Sequence, residues 1–152
     1  MAPVPAPSMQ VYFAAPLFCA AELAFNDRVA GRLEAAGHDV FLPQRDGMET
    51  TDVADRDDVA SKAEMMQAIF ELDRSQVGDA DVLTAVLDGR TVDEGVAVEV
   101  GLANAWDIPV VGLRTDRRTF GEDEPVNAML YGAAETIVDT PDALVDAVEA
   151  HA

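Results

Sequence analysis

Glu99 lies in the run DGRTVDEGVAVEVGLANA, Asp88 to Ala105, where a polar loop becomes a helix whose start is signalled by Asp93 and Glu94. Its neighbours Val96, Ala97, Val98, Val100, Leu102 and Ala103 make that helix apolar nearly all round, which predicts burial. An ionised carboxylate withdrawn from water costs roughly several kcal/mol unless something compensates it. Glu99 is therefore held either by an ion-pair partner, with Arg90 and Arg114 the candidates, or by a function. Asp93 falls at the same end of this segment. Asp73 sits in IFELDRSQVGDAD, Ile69 to Asp81, on a helix that runs into a strand; in so acidic a chain an Asp on a helix is ordinarily a solvated surface residue. Other chemistries lack material. Gly89, Gly95 and Gly101 do not form a dinucleotide fingerprint, and no phosphate-cradling loop ends in Lys-Ser or Lys-Thr. His38 and His151 are far apart, and the single Cys19 has no Cys or His neighbours at metal-ligand spacing, so neither a metal site nor a serine triad is expected. What remains is carboxylate chemistry. Carboxylates alone suffice for glycosyl transfer, where one attacks the anomeric carbon while another polar group assists the leaving group.

The elements that must position these groups follow from apolar periodicity and turn residues. Gln10 to Ala14, His38 to Leu42, Asp81 to Leu87, Ile108 to Leu113 and Thr136 to Val138 are short β-branched or aromatic runs, and they predict five strands. Helices are predicted over Ala20 to Ala36, with Gly37 as C-terminal cap, Asp57 to Val77, Gly95 to Trp106 and Pro141 to Ala150. Strand and helix alternate, and the strands are too apolar to have a wet face. The expected fold is thus α/β: a single flavodoxin-like or Rossmann-like domain with a five-stranded, mostly parallel sheet and helices on both faces. Ligands in such sheets bind beyond the carboxyl ends of the strands. That rule selects Tyr12 and the following Ala14-Ala15-Pro16 turn, Pro43-Gln44-Arg45-Asp46, Asp88-Gly89 with Asp93, and Arg114 onward.

With 152 residues and 49% apolar content, one domain with a real core is expected. Met1 to Ser8 is Pro- and Ala-rich without periodicity and reads as a disordered tail ahead of a domain over 9–152. Neither a signal peptide nor eighteen uninterrupted apolar residues is found, which predicts a soluble, cytoplasmic protein without a membrane association. The net charge of −19 is dispersed, and the basic residues are nine arginines and Lys62, so binding to nucleic acid is not expected. A dispersed acidic surface with almost no lysine suits a high-salt, halophilic cytoplasm.

The run YFAAPLFCAAELAFNDRVAGRLEAAGHDVFLPQRDG, Tyr12 to Gly47, resembles the opening of nucleoside 2-deoxyribosyltransferases: a Tyr strand, a small-Pro-Leu-Phe turn, an acidic helix with Phe-Asn, and Phe-x-Pro-Gln ending the second strand. Asp73 and Asp81, then Asp93, Glu99, Gly101 and Ala103 as Asp-x5-Glu-x-Gly-x-Ala, then Asn127 and Met129 continue the resemblance in order. It covers nearly the whole chain after Met9. By this resemblance Glu99 is the nucleophile, Tyr12 positions it, and Asp73 and Asp93 contact base and sugar. Gln44 would face the base, and Asn127 with Met129 would reach the sugar's 5′ end from a neighbouring subunit, which implies a homo-oligomer with shared sites. The implied ligands are deoxynucleosides and nucleobases in nucleotide salvage, with no metal or organic cofactor. The sequence departs from the family pattern at Leu102, commonly Tyr or Met, and at Ala15, frequently Gly. A related branch hydrolyses deoxynucleoside 5′-monophosphates and needs serines and an arginine around the phosphate; the Ala-Ala-Pro-Leu-Phe turn has neither, which favours nucleosides over that N-glycosidase. A third reading, a non-catalytic nucleoside-sensing module, would not require Tyr12, Asp73, Asp93 and Glu99 together.

Overall fold

A computed structural model describes residues 7–48, 62–119, 121 and 123–152. Most of the expected tail, 1–6, and the expected start of the second helix, 57–61, lie outside the described residues. Five strands, β1 (Gln10–Ala14), β2 (Asp39–Phe41), β3 (Val82–Val86), β4 (Val110–Leu113) and β5 (Thr136–Val138), form one sheet in the order β2-β1-β3-β4-β5. Every pairing is parallel, and Tyr12 stands opposite Phe41 on one side and Leu83 on the other. The chain order reverses between β1 and β3, which makes their carboxyl ends the switch point of the sheet.

Among the described residues six helices accompany the strands: α1 (Ala20–Ala35), α2 (Pro43–Asp46), α3 (Lys62–Asp79), α4 (Glu94–Ala105), α5 (Ala128–Ala133) and α6 (Pro141–Glu149). Side chains alternate across β1 with the period of two that a strand imposes. Val11 and Phe13 join Val29 and Leu33 of α1 and Leu144 and Val148 of α6 in one core layer. Tyr12 and Ala14 join Val77 of α3 and Val96, Val100 and Ala103 of α4 in the other. That alternation is what turns Tyr12 towards α4. Among the described residues no helix is long and apolar enough to cross a membrane.

The expected stop at Gly37 is met by a Schellman motif: Gly37 takes φ +99°, its N–H donates to Glu34 O at 2.9 Å, and the His38 N–H donates to Leu33 O at 3.2 Å. Two short helices, α2 and α5, were not expected. A helix of four or six residues carries no apolar repeat to read; α2 begins at Pro43, whose fixed φ suits a first turn, and α5 is started by its Asn127 cap.

Candidate active site

Tyr12 and Glu99, 87 residues apart, meet at the centre of the site: the Tyr12 hydroxyl donates to Glu99 Oε1 at 2.6 Å. That length belongs to a strong hydroxyl–carboxylate hydrogen bond. Tyr12 is wholly buried, and its ring stacks on Phe41 with centroids 5.6 Å apart and 19° between planes, so the hydroxyl is aimed by packing on both sides. Glu99 itself is half-buried, and the helix that carries it differs from expectation. α4 buries Val96, Val100 and Ala103 but leaves Val98 55% exposed, because it lies in the outer layer with one face to the sheet. Among the described residues no ion pair joins Arg90 or Arg114 to Glu99. Arg114 instead donates from Nη1 to Leu87 O at 2.6 Å and from Nη2 to the carbonyl of Arg118.

Asp93 caps α4: its Oδ2 accepts from the Val96 N–H at 3.1 Å. The side chain is half-buried at the mouth of the β3–α4 loop, six positions before Glu99. Gly95 makes room for it, since a Cβ there would come within 3.0 Å of Asp93 Oδ2. Asp73, also half-buried with Oδ1 shielded from solvent, lies on α3, which packs against α4 and β1. The loop leading to Asp93 is anchored by a polar network. Asp88 accepts from the N–H and hydroxyl of Thr115 and from the Asp116 N–H, while Asp116 accepts from the Gly89 N–H at 3.0 Å and from Arg118. The Arg118 side chain bonded to Asp116 holds that carboxyl below the ordinary carboxylate range.

Gln44 sits in α2 with its amide committed to α1. Its Nε2 donates to Leu23 O at 3.0 Å and Asp27 Oδ1 at 2.9 Å, and its Oε1 accepts from Asn26 Nδ2 at 2.8 Å. Asn26, buried, also donates to Pro16 O at 2.9 Å and so fixes the turn after β1. Asn127 and Met129 are exposed at the start of α5, where Asn127 Oδ1 accepts from the Met129 N–H at 2.9 Å. The fold thus joins Tyr12 to Glu99 and sets Asp73 on α3 and Asp93 at the start of the adjoining α4, with Gln44 in α2 directly after β2 and Asn127 and Met129 exposed at the start of α5. Phe41 and Asn26 stand in the motifs of the sequence reading without a role of their own. Phe41 could have been found from parallel pairing of the first two strands, which sets it beside Tyr12. The contacts of Asn26 give no such signal, because its partners lie in the turn after β1 and in α2.

An α/β sheet with a hydroxyl-positioned carboxylate near its switch point defines a class in which nucleophilic carboxylate chemistry is feasible. Residues 11–140 match the family model for nucleoside 2-deoxyribosyltransferases, and the chain belongs to that family. Among solved structures it is similar to a conserved protein from Enterococcus faecalis V583, at 27% identity and TM-score 0.78 over 96% of this chain and 100% of that one. It is also similar to the 2-deoxyribosyltransferase of the psychrotolerant Bacillus psychrosaccharolyticus, at 19% identity and TM-score 0.73 over 90% of each chain. The 2-desoxiribosyltransferase of Leishmania mexicana shares 18% identity and TM-score 0.66 over 95% of this chain and 99% of that one. A comparison with curated proteins found no match.

Proposed function

We propose that this protein transfers a 2-deoxyribosyl group between nucleobases through a covalent ester on Glu99. The observation that carries the reading is the 2.6 Å hydrogen bond from Tyr12 to Glu99 Oε1, which fixes a carboxylate on the helix beside the switch point. Glu99 Oε2 attacks the anomeric carbon as the glycosidic C–N bond breaks, and the bonding pair leaves with the base. Asp73 supplies the proton, directly or through a water, that neutralises the departing nitrogen. Asp93 keeps one oxygen on the Val96 N–H and accepts the sugar's 3′-hydroxyl with the other. The second base attacks from the opposite face, gives its proton to Asp73, and returns the ester pair to Glu99, so configuration is retained. Water in place of that base gives hydrolysis.

Gln44 is assigned to the base side of the site, where its contact requires exchange of a bond now made to α1. Asn127 and Met129 are assigned to the 5′ end of the sugar bound by a neighbouring copy; Met129, 81% exposed, is a large apolar side chain suited to an intersubunit contact. Incubation with a 2-fluorinated deoxyribonucleoside slows breakdown of the ester, and mass spectrometry of the digested protein is expected to locate the adduct on Glu99. Glu99→Gln is expected to abolish base exchange and hydrolysis together while nucleoside binding persists. An adduct on another residue, or wild-type exchange by Glu99→Gln, overturns the mechanism.

A further inference from the structure

The Leu87 N–H donates to Leu113 O at 2.8 Å, at the end of the pairing between β3 and β4. Beyond that bond both strands give way to loops, and their backbone groups have to find other partners. Side chains supply them. From the loop after β4, Arg114 Nη1 donates to Leu87 O at 2.6 Å. Asp88 reaches the other way: its Oδ1 accepts from the Thr115 N–H at 2.7 Å and the Asp116 N–H at 2.8 Å, and its Oδ2 from the Thr115 hydroxyl at 2.6 Å. Asp116 returns the bond, its Oδ2 accepting from the Gly89 N–H at 3.0 Å, while Arg118 pairs with it and keeps it an acceptor. Each aspartate thus holds the other's loop, and three successive residues at the exit of β3 are fixed from one short segment after β4. Only Arg90 to Val92 separate this clasp from Asp93. Gly89 takes φ +111°, and a Cβ there would lie 2.9 Å from Thr91 O, so the chain folds tightly on itself at that point. Val92 packs against the core layer that includes Val96 and Val100 of α4. A tight loop pinned at its start and seated on the core at its end leaves Asp93 little freedom, with Oδ2 already on the Val96 N–H at 3.1 Å.

We propose that Asp88 and Asp116 are positioning residues: their reciprocal clasp holds the β3–α4 loop so that the Asp93 carboxylate meets the 3′-hydroxyl of the deoxyribose. The assignment rests on the sugar contact given to Asp93 above and is independent of the ester on Glu99. Neither aspartate of the clasp touches the substrate in it. What they control is discrimination, because a sugar with a 3′-hydroxyl gains from a correctly aimed Asp93 and a sugar without one does not.

Titration calorimetry with 2′-deoxyadenosine and 2′,3′-dideoxyadenosine, which differ only in the 3′-hydroxyl, separates this role from a merely structural one. In the Glu99→Gln protein, where turnover stops, the deoxynucleoside is expected to bind about tenfold more tightly, and Asp93→Ala in the same background to remove that preference. Asp88→Ala is expected to cut the preference to about twofold by weakening deoxyadenosine while leaving dideoxyadenosine unchanged. Asp88→Asn keeps an oxygen for the two N–H donors and is expected to restore the preference to within about twofold of the parent. Thr115→Val, at an exposed position that leaves the fold intact, removes a single hydrogen bond to Asp88 and is expected to lower the preference about threefold. Equal weakening of both ligands by Asp88→Ala, or a preference unmoved by Thr115→Val and Asp88→Ala, overturns the proposal while the sugar contact stands. A parent without the preference, or one that keeps it after Asp93→Ala, overturns the sugar contact itself and the clasp's role with it.

Discussion

Replacing Tyr12 by Phe removes a single oxygen atom, the one that donates to Glu99 Oε1 at 2.6 Å. The ring stays buried and stacked on Phe41, and the half-buried Glu99 can take a water where the hydroxyl was. Stability should therefore fall by no more than about 1.5 kcal/mol, which for a chain of this size is about 2–4 °C of melting temperature per kcal/mol. Catalysis should fall further. A hydrogen bond to a charged group contributes about 1.5–3 kcal/mol. If that interaction holds the carboxylate in line for attack, its loss lowers the rate of ester formation about tenfold to a hundredfold. The loss should appear in kcat for base exchange between deoxyadenosine and a second base, with KM little changed, since the hydroxyl does not touch the substrate in this reading. Rapid-quench measurement of adduct formation from a 2-fluorinated substrate should slow by the same factor. A Tyr12→Phe enzyme that exchanges bases within about twofold of the wild type, at unchanged melting temperature, would show Tyr12 to be a core aromatic and nothing more.

The net charge of −19 should make stability depend on salt. The Debye length shortens from about 10 Å at 0.1 M to about 3 Å at 1 M, so melting temperature should rise across that range, and a flat profile in differential scanning calorimetry would refute the point. The exposed Met129 and Tyr131 of α5 should lie between subunits. Met129→Asp is expected to shift light scattering towards a smaller species and to cut exchange, and a fully active monomer would dismiss the shared site. Because Arg118 lowers the pKa of Asp116, the stability this pair contributes is fully present above the unfolded carboxylate value near pH 4 and is lost as pH falls through the lower folded value. The stability gap between wild type and Arg118→Ala, measured by urea denaturation, should be open at pH 7 and close as pH drops below about 4; a gap independent of pH would contradict the assignment.

Much of this fold was legible because the signals are local. β1 and β5 begin and end where the alternation of apolar and turn residues puts them, and the stop of α1 at Gly37 follows from the one residue type that readily adopts φ +99°. β2 and β4 are shorter than expected, at Asp39–Phe41 and Val110–Leu113, because strand ends depend on a neighbour to pair with. The helical spacing of Asp93 and Glu99 likewise placed both on α4, one as its cap and the other in its second turn.

What tertiary structure decided was which of these groups meet. Composition shows that Glu99 needs compensation, but only the parallel register and the alternation along β1 bring the Tyr12 hydroxyl to it as a hydrogen-bond partner. Sequence likewise marks Gln44 as a residue after a strand, whereas the packing of α2 on α1 shows its amide bonded to Leu23, Asn26 and Asp27. Arg114 is one arginine among nine in the sequence. Its burial, with carbonyls for partners, arises from contacts across the sheet that no local pattern encodes. Residue type and periodicity fix what a segment can form and which face it hides, because those are nearest-neighbour effects. The pairing of groups tens of residues apart is set by strand order and helix packing, which the chain specifies only as a whole.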